Sequence, residues 1–281
     1  MASEPHYILT RDYLDNSRST NPFHCGSRIN LHHYQWVELF GYRVHPRIPT
    51  QDSKLRIADI GTGTGFVRYL ATRLPSSAQL DALDVSFDAM PPREWLPPNV
   101  TLRRWNVKEV VPDDLVGVYD VVHIRNFSFV LKNDEVKHLL SNLMQMIKPG
   151  GYLQWGEVDV ASWQIIKSKP ENKINALALL KESTQIQDPR LRPTWIPKLG
   201  QHLAEAGFVD VEADVRDAKS NSAFAMHECN LIMHELIPQK TGDEKAAQKI
   251  KNIMPEICKE TKDGACYVFS RWIVVGRKPE A

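Results

Sequence analysis

The sequence predicts an α/β fold built on a mostly parallel sheet. Three observations carry this. Short apolar stretches of strand length alternate with longer stretches of helical spacing. The first strand runs directly into a glycine-rich turn and a helix. Acidic residues stand at the carboxyl ends of the first two strands, where open α/β sheets bind ligands.

The first strand is 55–60, with Leu55, Ile57, Ala58 and Ile60 apolar after a polar run over 50–54. Asp59 sits at its end. Gly61, Gly63 and Gly65 follow at every second position, and 66–74 reads as a helix. Glycine allows φ > 0 and lets a ligand approach bare backbone. The spacing is not the GxGxxG of a dinucleotide fold, and no Lys-Ser/Thr pair follows to make a phosphate loop. A carboxylate beside the turn repels pyrophosphate and suits a ligand with a cationic group. The second strand, 78–85, ends in Asp84. An acid there can accept both hydrogens of a ribose diol, at roughly 1.5–3 kcal/mol for each charge-assisted bond.

With these residues in view, the sequence resembles the class I S-adenosylmethionine-dependent methyltransferases. The matching residues are Asp59-Ile60-Gly61-Thr62-Gly63-Thr64-Gly65, Asp84, Tyr119-Asp120-Val121-Val122, and 143–151 leading into Tyr152-Leu153. A narrower likeness, to fungal secondary-metabolism methyltransferases related to the LaeA-like group, is carried by 27–36, His45-Pro46, 94–100 and 154–159. The resemblance implies a Rossmann-like seven-stranded sheet with its last strand antiparallel. It implies a helical N-terminal lid over 1–50, a core over 51–281, and cap elements at 160–198 and 217–262. The implied cofactor is S-adenosyl-L-methionine, held by Asp59, Gly61, Thr62, Gly63, Gly65, Asp84, Val85, Asn106, Val107 and Ile124. The implied acceptor is a small natural product, methylated on a hydroxyl or carboxylate oxygen. A LaeA-like regulatory or scaffold protein that binds the cofactor without a small acceptor is the alternative.

The remaining elements follow in order. Residues 1–20 read as a short helix and 21–26 as a loop. From Ser27, a plausible N-cap, the spacing of Ile29, Leu31, Tyr34, Trp36, Val37, Leu39 and Phe40 predicts an amphipathic helix ended by Gly41. Arg28 and His32 share one face of it, and His33 lies about 100° round. Prolines at 91, 92, 97 and 98 break up the next crossover. Residues 100–107 read as the third strand. The family commonly places an Asp after it to receive the adenine amino group; here Asn106 can accept that bond only without charge. The fourth strand, 119–124, leads into His123-Ile124-Arg125-Asn126-Phe127, beside the methyl group by analogy. A helix over 133–147 stops at Lys148-Pro149-Gly150-Gly151. The fifth strand is 152–158, with Glu157 and Asp159 at its end. Helices over 172–187 and 198–206, strands over 208–215 and 265–275, and two intervening helices over 223–236 and 244–259 complete the chain.

Composition narrows the class. The chain has 281 residues, 42% hydrophobic and 25% charged, with net charge +1. That balance points to no nucleic-acid or membrane partner. No apolar run approaches the ~18 residues of a membrane span, and the first residues lack the basic and apolar regions of a signal peptide. The four cysteines show no CxxC spacing, which argues for free thiols in a reducing cytoplasm. His32 and His33 are adjacent and so do not form a metal pair on one helical face; no metal site is expected. A homodimer is open to such a chain.

Methyl transfer needs water excluded, nucleophile and methyl aligned, and an ionised acceptor, and alignment alone contributes on the order of 7–11 kcal/mol. A phenol benefits from a base; a carboxylate needs only positioning donors. His33 and His123 are the candidate bases, and Arg125 and Arg28 the candidate orienting groups, with Arg192 a further arginine. Tyr34, Phe127, Met226 and His227 are expected to line the acceptor pocket.

Overall fold

The computed structural model describes residues 23–184, 193–218, 220–241 and 244–280. The helix expected over 1–20 and Arg192 lie outside them. The elements, in order, are α1 (Phe23–Phe40), β1 (Arg56–Ile60), α2 (Phe66–Ala71), β2 (Gln79–Asp84), β3 (Val100–Arg104), β4 (Tyr119–Arg125), α3 (Val136–Met146), β5 (Ile147–Lys167), α4 (Asn175–Thr184), α5 (Leu199–Glu205), β6 (Val209–Asp217), α6 (Ser220–Thr241), α7 (Glu244–Lys262) and β7 (Ala265–Arg277). They form one seven-stranded sheet in the order β3-β2-β1-β4-β5-β7-β6. The first five strands pair in parallel, and β7 runs antiparallel between β5 and β6. This is the sheet that the resemblance implies, and α6 and α7 are the helical insertion before the last strand.

The central strands are buried on both faces, as parallel strands covered by helices must be. Ile57, Ala58, Leu80, Ala82 and Leu83 are all fully buried. Alternation divides the sheet into two cores. Ile57, Val121, Ile273 and Val275 point to one face, which Trp36 and Phe40 of α1, Phe66 and Leu70 of α2, Leu177 of α4 and Ile257 of α7 cover. Ala58, Ile60, Val122, Ile124, Trp155 and Val274 point to the other, covered by α3 and α5 through Leu139, Leu143, Leu199 and Leu203. Asp59, His123 and Arg125 therefore share the face that carries α1 and α2.

Several boundaries differ from the sequence reading. The helix α3 covers Val136–Met146 and β5 already begins at Ile147, so 148–151 lies in the strand and does not form a loop before it. The helix α1 starts at Phe23, not Ser27, so Ser27 is no N-cap and 23–26 is not loop. A glycine inside a helix costs only ~1 kcal/mol, which Gly26 leaves for tertiary packing to offset. Strand β3 ends at Arg104, which leaves Asn106 and Val107 in the loop beyond it. Strand β5 runs on to Lys167, so 160–167 belongs to the sheet and not to a cap. A bulge between Asp159 and Gln164 hides the continuation from a period-two reading. Asp159 Oδ1 accepts Ala161 N, Ser162 Oγ accepts Ser270 N, and Trp163 packs on Tyr267 at 4.1 Å between ring centroids.

The helix α4 is capped from outside. Glu260 of α7, 2% exposed, accepts Ala176 N on one carboxylate oxygen and Leu177 N on the other, each at 3.0 Å. Glu260→Ala leaves two helix amides buried without partners and should lower the unfolding free energy by about 2–4 kcal/mol. Urea denaturation with an unchanged m-value is the check.

Candidate active site at the carboxyl edge of the sheet

The glycine turn is pinned to the neighbouring strand. Gly61 N and Thr62 N both donate to Leu83 O of β2, at 2.8 and 3.3 Å. Gly61, Gly63 and Gly65 take φ of +63°, +55° and +90°, values that L side chains rarely adopt. Two of them are also closed by neighbours: an added Cβ at Gly61 would meet the Phe127 ring at 2.5 Å, and at Gly65 the Met90 sulfur at 2.6 Å. At Gly63 it would meet nothing nearer than Gly61 O at 3.9 Å. The middle glycine is thus the open one, where a ligand can lie against backbone.

The two strand-end acids flank that opening. Asp84 Oδ2 accepts Gly63 N at 2.9 Å and Oδ1 accepts Ser86 N at 3.2 Å. Burial raises its pKa, and the two amides oppose that rise. Asp59, 2% exposed, is held by its own turn and by the next strand. Its Oδ2 accepts the Thr62 hydroxyl at 2.6 Å, and its Oδ1 lies 2.7 Å from His123 Nδ1. His123 is the register partner of Asp59 across β1 and β4. The contact makes Nδ1 the protonated nitrogen and leaves Nε2 as an acceptor. Burial lowers the His123 pKa despite Asp59, so the ring is neutral at physiological pH. Phe66 stacks on it at 4.1 Å.

Arg125 ends β4 without a carboxylate partner among the described residues. The ion pair with Asp59 or Glu157 that a buried arginine invites is not formed. Its guanidinium rests over Trp36 and Phe66, 5.6 and 5.4 Å from the ring centroids, and Nη1 donates to His33 Nδ1 at 3.3 Å. Burial pushes its pKa down to about 10. His33 stacks on Tyr69 at 4.3 Å, and burial and then Arg125 push its pKa down to about 3. With Nδ1 accepting from Arg125, His33 carries its proton on Nε2, a buried donor with no partner.

The other expected residues divide. Phe127 roofs Gly61. Val85 is partly exposed beyond β2, and Val107 is buried in the loop after β3. Asn106 Oδ1 accepts Lys108 N at 3.1 Å, an Asx turn that uses the oxygen expected at the adenine edge. The Ile124 side chain belongs to the opposite core, so only its backbone faces the site. Tyr34 is 52% exposed at the rim. Arg28 is half-buried near α6, and its carbonyl receives Cys229 Sγ at 3.7 Å. Met226 and His227 are packed between α6 and β7; both His227 nitrogens are engaged, by Thr261 Oγ1 at 2.9 Å and Tyr267 N at 3.3 Å.

Two residues that the sequence reading placed near this edge without a definite role gain one from the structure. Asn126, directly after β4, has φ +62° and a buried amide oxygen without a partner. The left-handed turn is one that asparagine adopts readily, and it leaves a buried acceptor at the edge that a ligand donor could meet. Glu157 points to the other face and builds the roof: its carboxylate accepts Phe127 N at 2.7 Å, Ser128 N at 3.2 Å and Trp155 Nε1 at 2.6 Å. Among the described residues no cluster of three His, Cys, Asp or Glu side chains could hold a metal ion, Cys229, Cys258 and Cys266 are free thiols, and no helix is long and apolar enough to cross a membrane.

No family model matches the chain. Among curated proteins it is similar to methyltransferase grgD of a Penicillium species, 35% identical over 145 residues, 49% of this chain and 50% of that one. It is 25% identical to N-methyltransferase tcpN of Claviceps purpurea over 72% of each chain, and 26% identical to the secondary metabolism regulator laeA of Coprinopsis cinerea over 52% of this chain and 36% of that one. The match thus spans half the length of grgD and about a third of laeA. Among solved structures the fold matches Haemonchus contortus phosphoethanolamine N-methyltransferase 2 in complex with S-adenosyl-L-methionine, with TM-score 0.50 and 16% identity over 96% of this chain and 60% of that one. It also matches the [4+2]-cyclase SpnF, with TM-score 0.51 and 15% identity over 91% and 95%.

Burial raises the Glu157 pKa to about 7. A carboxyl group whose folded pKa lies above its unfolded one stabilises the fold fully below the unfolded pKa of about 4.3 and loses that contribution as pH rises through the folded value. Stability measured by urea titration should therefore fall between pH 4.5 and 8 by on the order of 3 kcal/mol more in the wild type than in Glu157→Gln. Equal slopes in the two proteins would mean Glu157 is ionised in the fold.

Proposed function

We propose that this chain, one of the class I S-adenosyl-L-methionine-dependent methyltransferases by fold and relatives, methylates a small-molecule acceptor at the carboxyl edge of its sheet. The observation that carries the reading is the open Gly63 between two strand-end carboxylates, the buried Asp59 and the half-buried Asp84. Bound S-adenosyl-L-methionine supplies an electrophilic methyl group on a sulfonium sulfur. The residues present fit it: Asp84 has acceptor capacity left for ribose hydroxyls, Gly63 offers backbone without a side chain, and Asp59 supplies negative charge near a cationic ligand. Val85, Asn106 and Val107 are the residues at hand for the adenine end. The buried, unmet Asn126 oxygen and His33 Nε2–H are further polar groups at the same edge.

The two histidines differ in what they can do. His123, oriented by Asp59 through Nδ1, presents a neutral Nε2 that can take a proton. His33, protonated on Nε2 and locked to Arg125, can donate and position but is a poor base. Arg125 and His33 together orient the acceptor, and Trp36, Phe66 and Phe127 exclude water around them. Oxygen is the heteroatom expected from the sequence resemblance. The names of tcpN, gliN of Aspergillus fumigatus and verN of Clonostachys rogersoniana support nitrogen equally. A neutral imidazole serves an N–H and an O–H acceptor alike. The similarity to laeA regulators supports a second reading, a cofactor-binding regulator without a small acceptor. Formation of S-adenosylhomocysteine with a metabolite library separates the two.

Two outcomes are expected. Asp84→Ala should weaken S-adenosyl-L-methionine binding in calorimetry by at least about tenfold, as the loss of one or two charged acceptors requires; unchanged affinity removes Asp84 from the cofactor site. With an acceptor found, kcat/KM should be flat above pH ~6.5 and fall below it as His123 protonates at its lowered pKa. That acid limb should be absent in His123→Gln and persist in His33→Phe; a limb that follows His33 would reverse their roles.

A further inference from the structure

Arg271 lies within β7 and is 1% exposed. Its Nη1 donates to Phe269 O at 3.2 Å, and its Nη2 is buried without a hydrogen-bond partner. Among the described residues no carboxylate pairs with it. Its titratable neighbours are Cys229 and Tyr267, and burial raises both pKa values, so thiol and phenol stay neutral. His32 of α1 is held neutral as well, by burial first and then by Arg271, Arg28 and Arg125. A fully buried guanidinium is almost always paired. This one sits among neutral groups and other cations.

Its place in the sheet says which ligand could supply the missing charge. Arg271 stands opposite Val158 of β5, on the same face as Ile273. Ile273 pairs with Gly156, which pairs in turn with Arg125. Arg28, His32 and Trp36 form an i, i+4 stripe of α1 above this part of the sheet: Trp36 closes on Gly156, and the Arg28 carbonyl receives Cys229 of α6. Arg271 is thus beneath α1 and α6, beyond Arg125 as seen from the glycine turn. The turn follows β1, three strands from β7, or about 14 Å at the usual strand spacing. A ligand held at the turn by Asp84 would extend the other way, toward β2 and β3.

We propose that Arg271 is the anion anchor of the acceptor pocket and that the acceptor is a small molecule bearing a carboxylate. This rests on the methyltransferase reading and names the acceptor class for it. The guanidinium edge holding Nη2 and the second hydrogen of Nη1 matches a carboxylate in a two-point fit, and the low dielectric around it strengthens the pair. The arrangement selects against an uncharged analogue, whose binding would leave the cation buried and alone.

The full chain saturated with S-adenosylhomocysteine tests this, by calorimetry with benzoate and indole-3-carboxylate against benzamide and indole-3-carboxamide. The expected result is at least about tenfold tighter binding of one or both acids than of their amides, a preference that Arg271→Gln abolishes and Arg271→Lys keeps in part, with S-adenosylhomocysteine affinity held within about twofold. Acids and amides binding alike in the wild type overturns the anchor, as does a full acid preference in Arg271→Gln. If that variant fails to fold, the wild-type comparison and Arg271→Lys decide. Failure of the wild type to bind S-adenosylhomocysteine overturns the methyltransferase reading itself.

Discussion

The site hangs on one buried carboxylate. Asp59 ties the end of β1 to its own glycine turn through Thr62 and to β4 through His123. Two strands and a turn are thereby set in one geometry by two short hydrogen bonds in a place water does not reach. Such bonds are strong because the alternative is an unpaired buried acid. The same contact selects the His123 tautomer, so the chemistry available at Nε2 is decided by a residue on the neighbouring strand. Glu157 does the corresponding work on the opposite face. Its three acceptor contacts hold the segment after β4 down, which places Phe127 over Gly61 and closes one end of the glycine turn.

Charge is distributed unevenly along this edge. Acids gather where β1 and β2 end, and arginines, half-buried at Arg125 and fully buried at Arg271, lie from β4 to β7. Arg125 escapes the cost of burial partly by lying on the faces of Trp36 and Phe66, whose π-electrons attract a cation. A ligand with a cationic centre at one end and an acceptor with an anionic group at the other would complete both halves. The sheet order makes this separation possible, because β7 enters between β5 and β6 and so carries Arg271 away from the glycine turn.

What was legible in the sequence was local. The alternation of Ile57, Ala58 and Ile60, the three spaced glycines and the strand-end acids are all short-range signals, and each reappears in the fold where it was expected. What depended on register was not legible. Nothing near His123 in the chain says that it stands opposite Asp59, and nothing near Arg125 says that its partner is an imidazole in place of a carboxylate. The extension of β5 was hidden by a bulge whose polar residues satisfy each other, and the start of α1 by a glycine that packing tolerates. For Arg271 a signal existed: the one charged residue in a strand interior that is apolar but for Ser270, a position that charged residues rarely occupy without a reason. Asn126 gave less, since a left-handed asparagine is read from φ and not from composition.

The helix α1 explains why core and site cannot be separated in this molecule. Trp36 and Phe40 are 3% and 4% exposed members of the core that covers the sheet. His33, one helical step from that stripe, holds Arg125, and His32, within it, lies among three arginines. Tilting the helix to admit an acceptor would therefore move packing residues and site residues together. The contact of Trp36 with Gly156, 3.1 Å from where a side chain would begin, leaves no slack on the sheet side. Movement is freer at the other end of the site, where Tyr34 and Leu31 face outward. The helix is thus held firmly on its sheet side, and its buried polar groups, His32 and His33, are set by the same packing that holds the core.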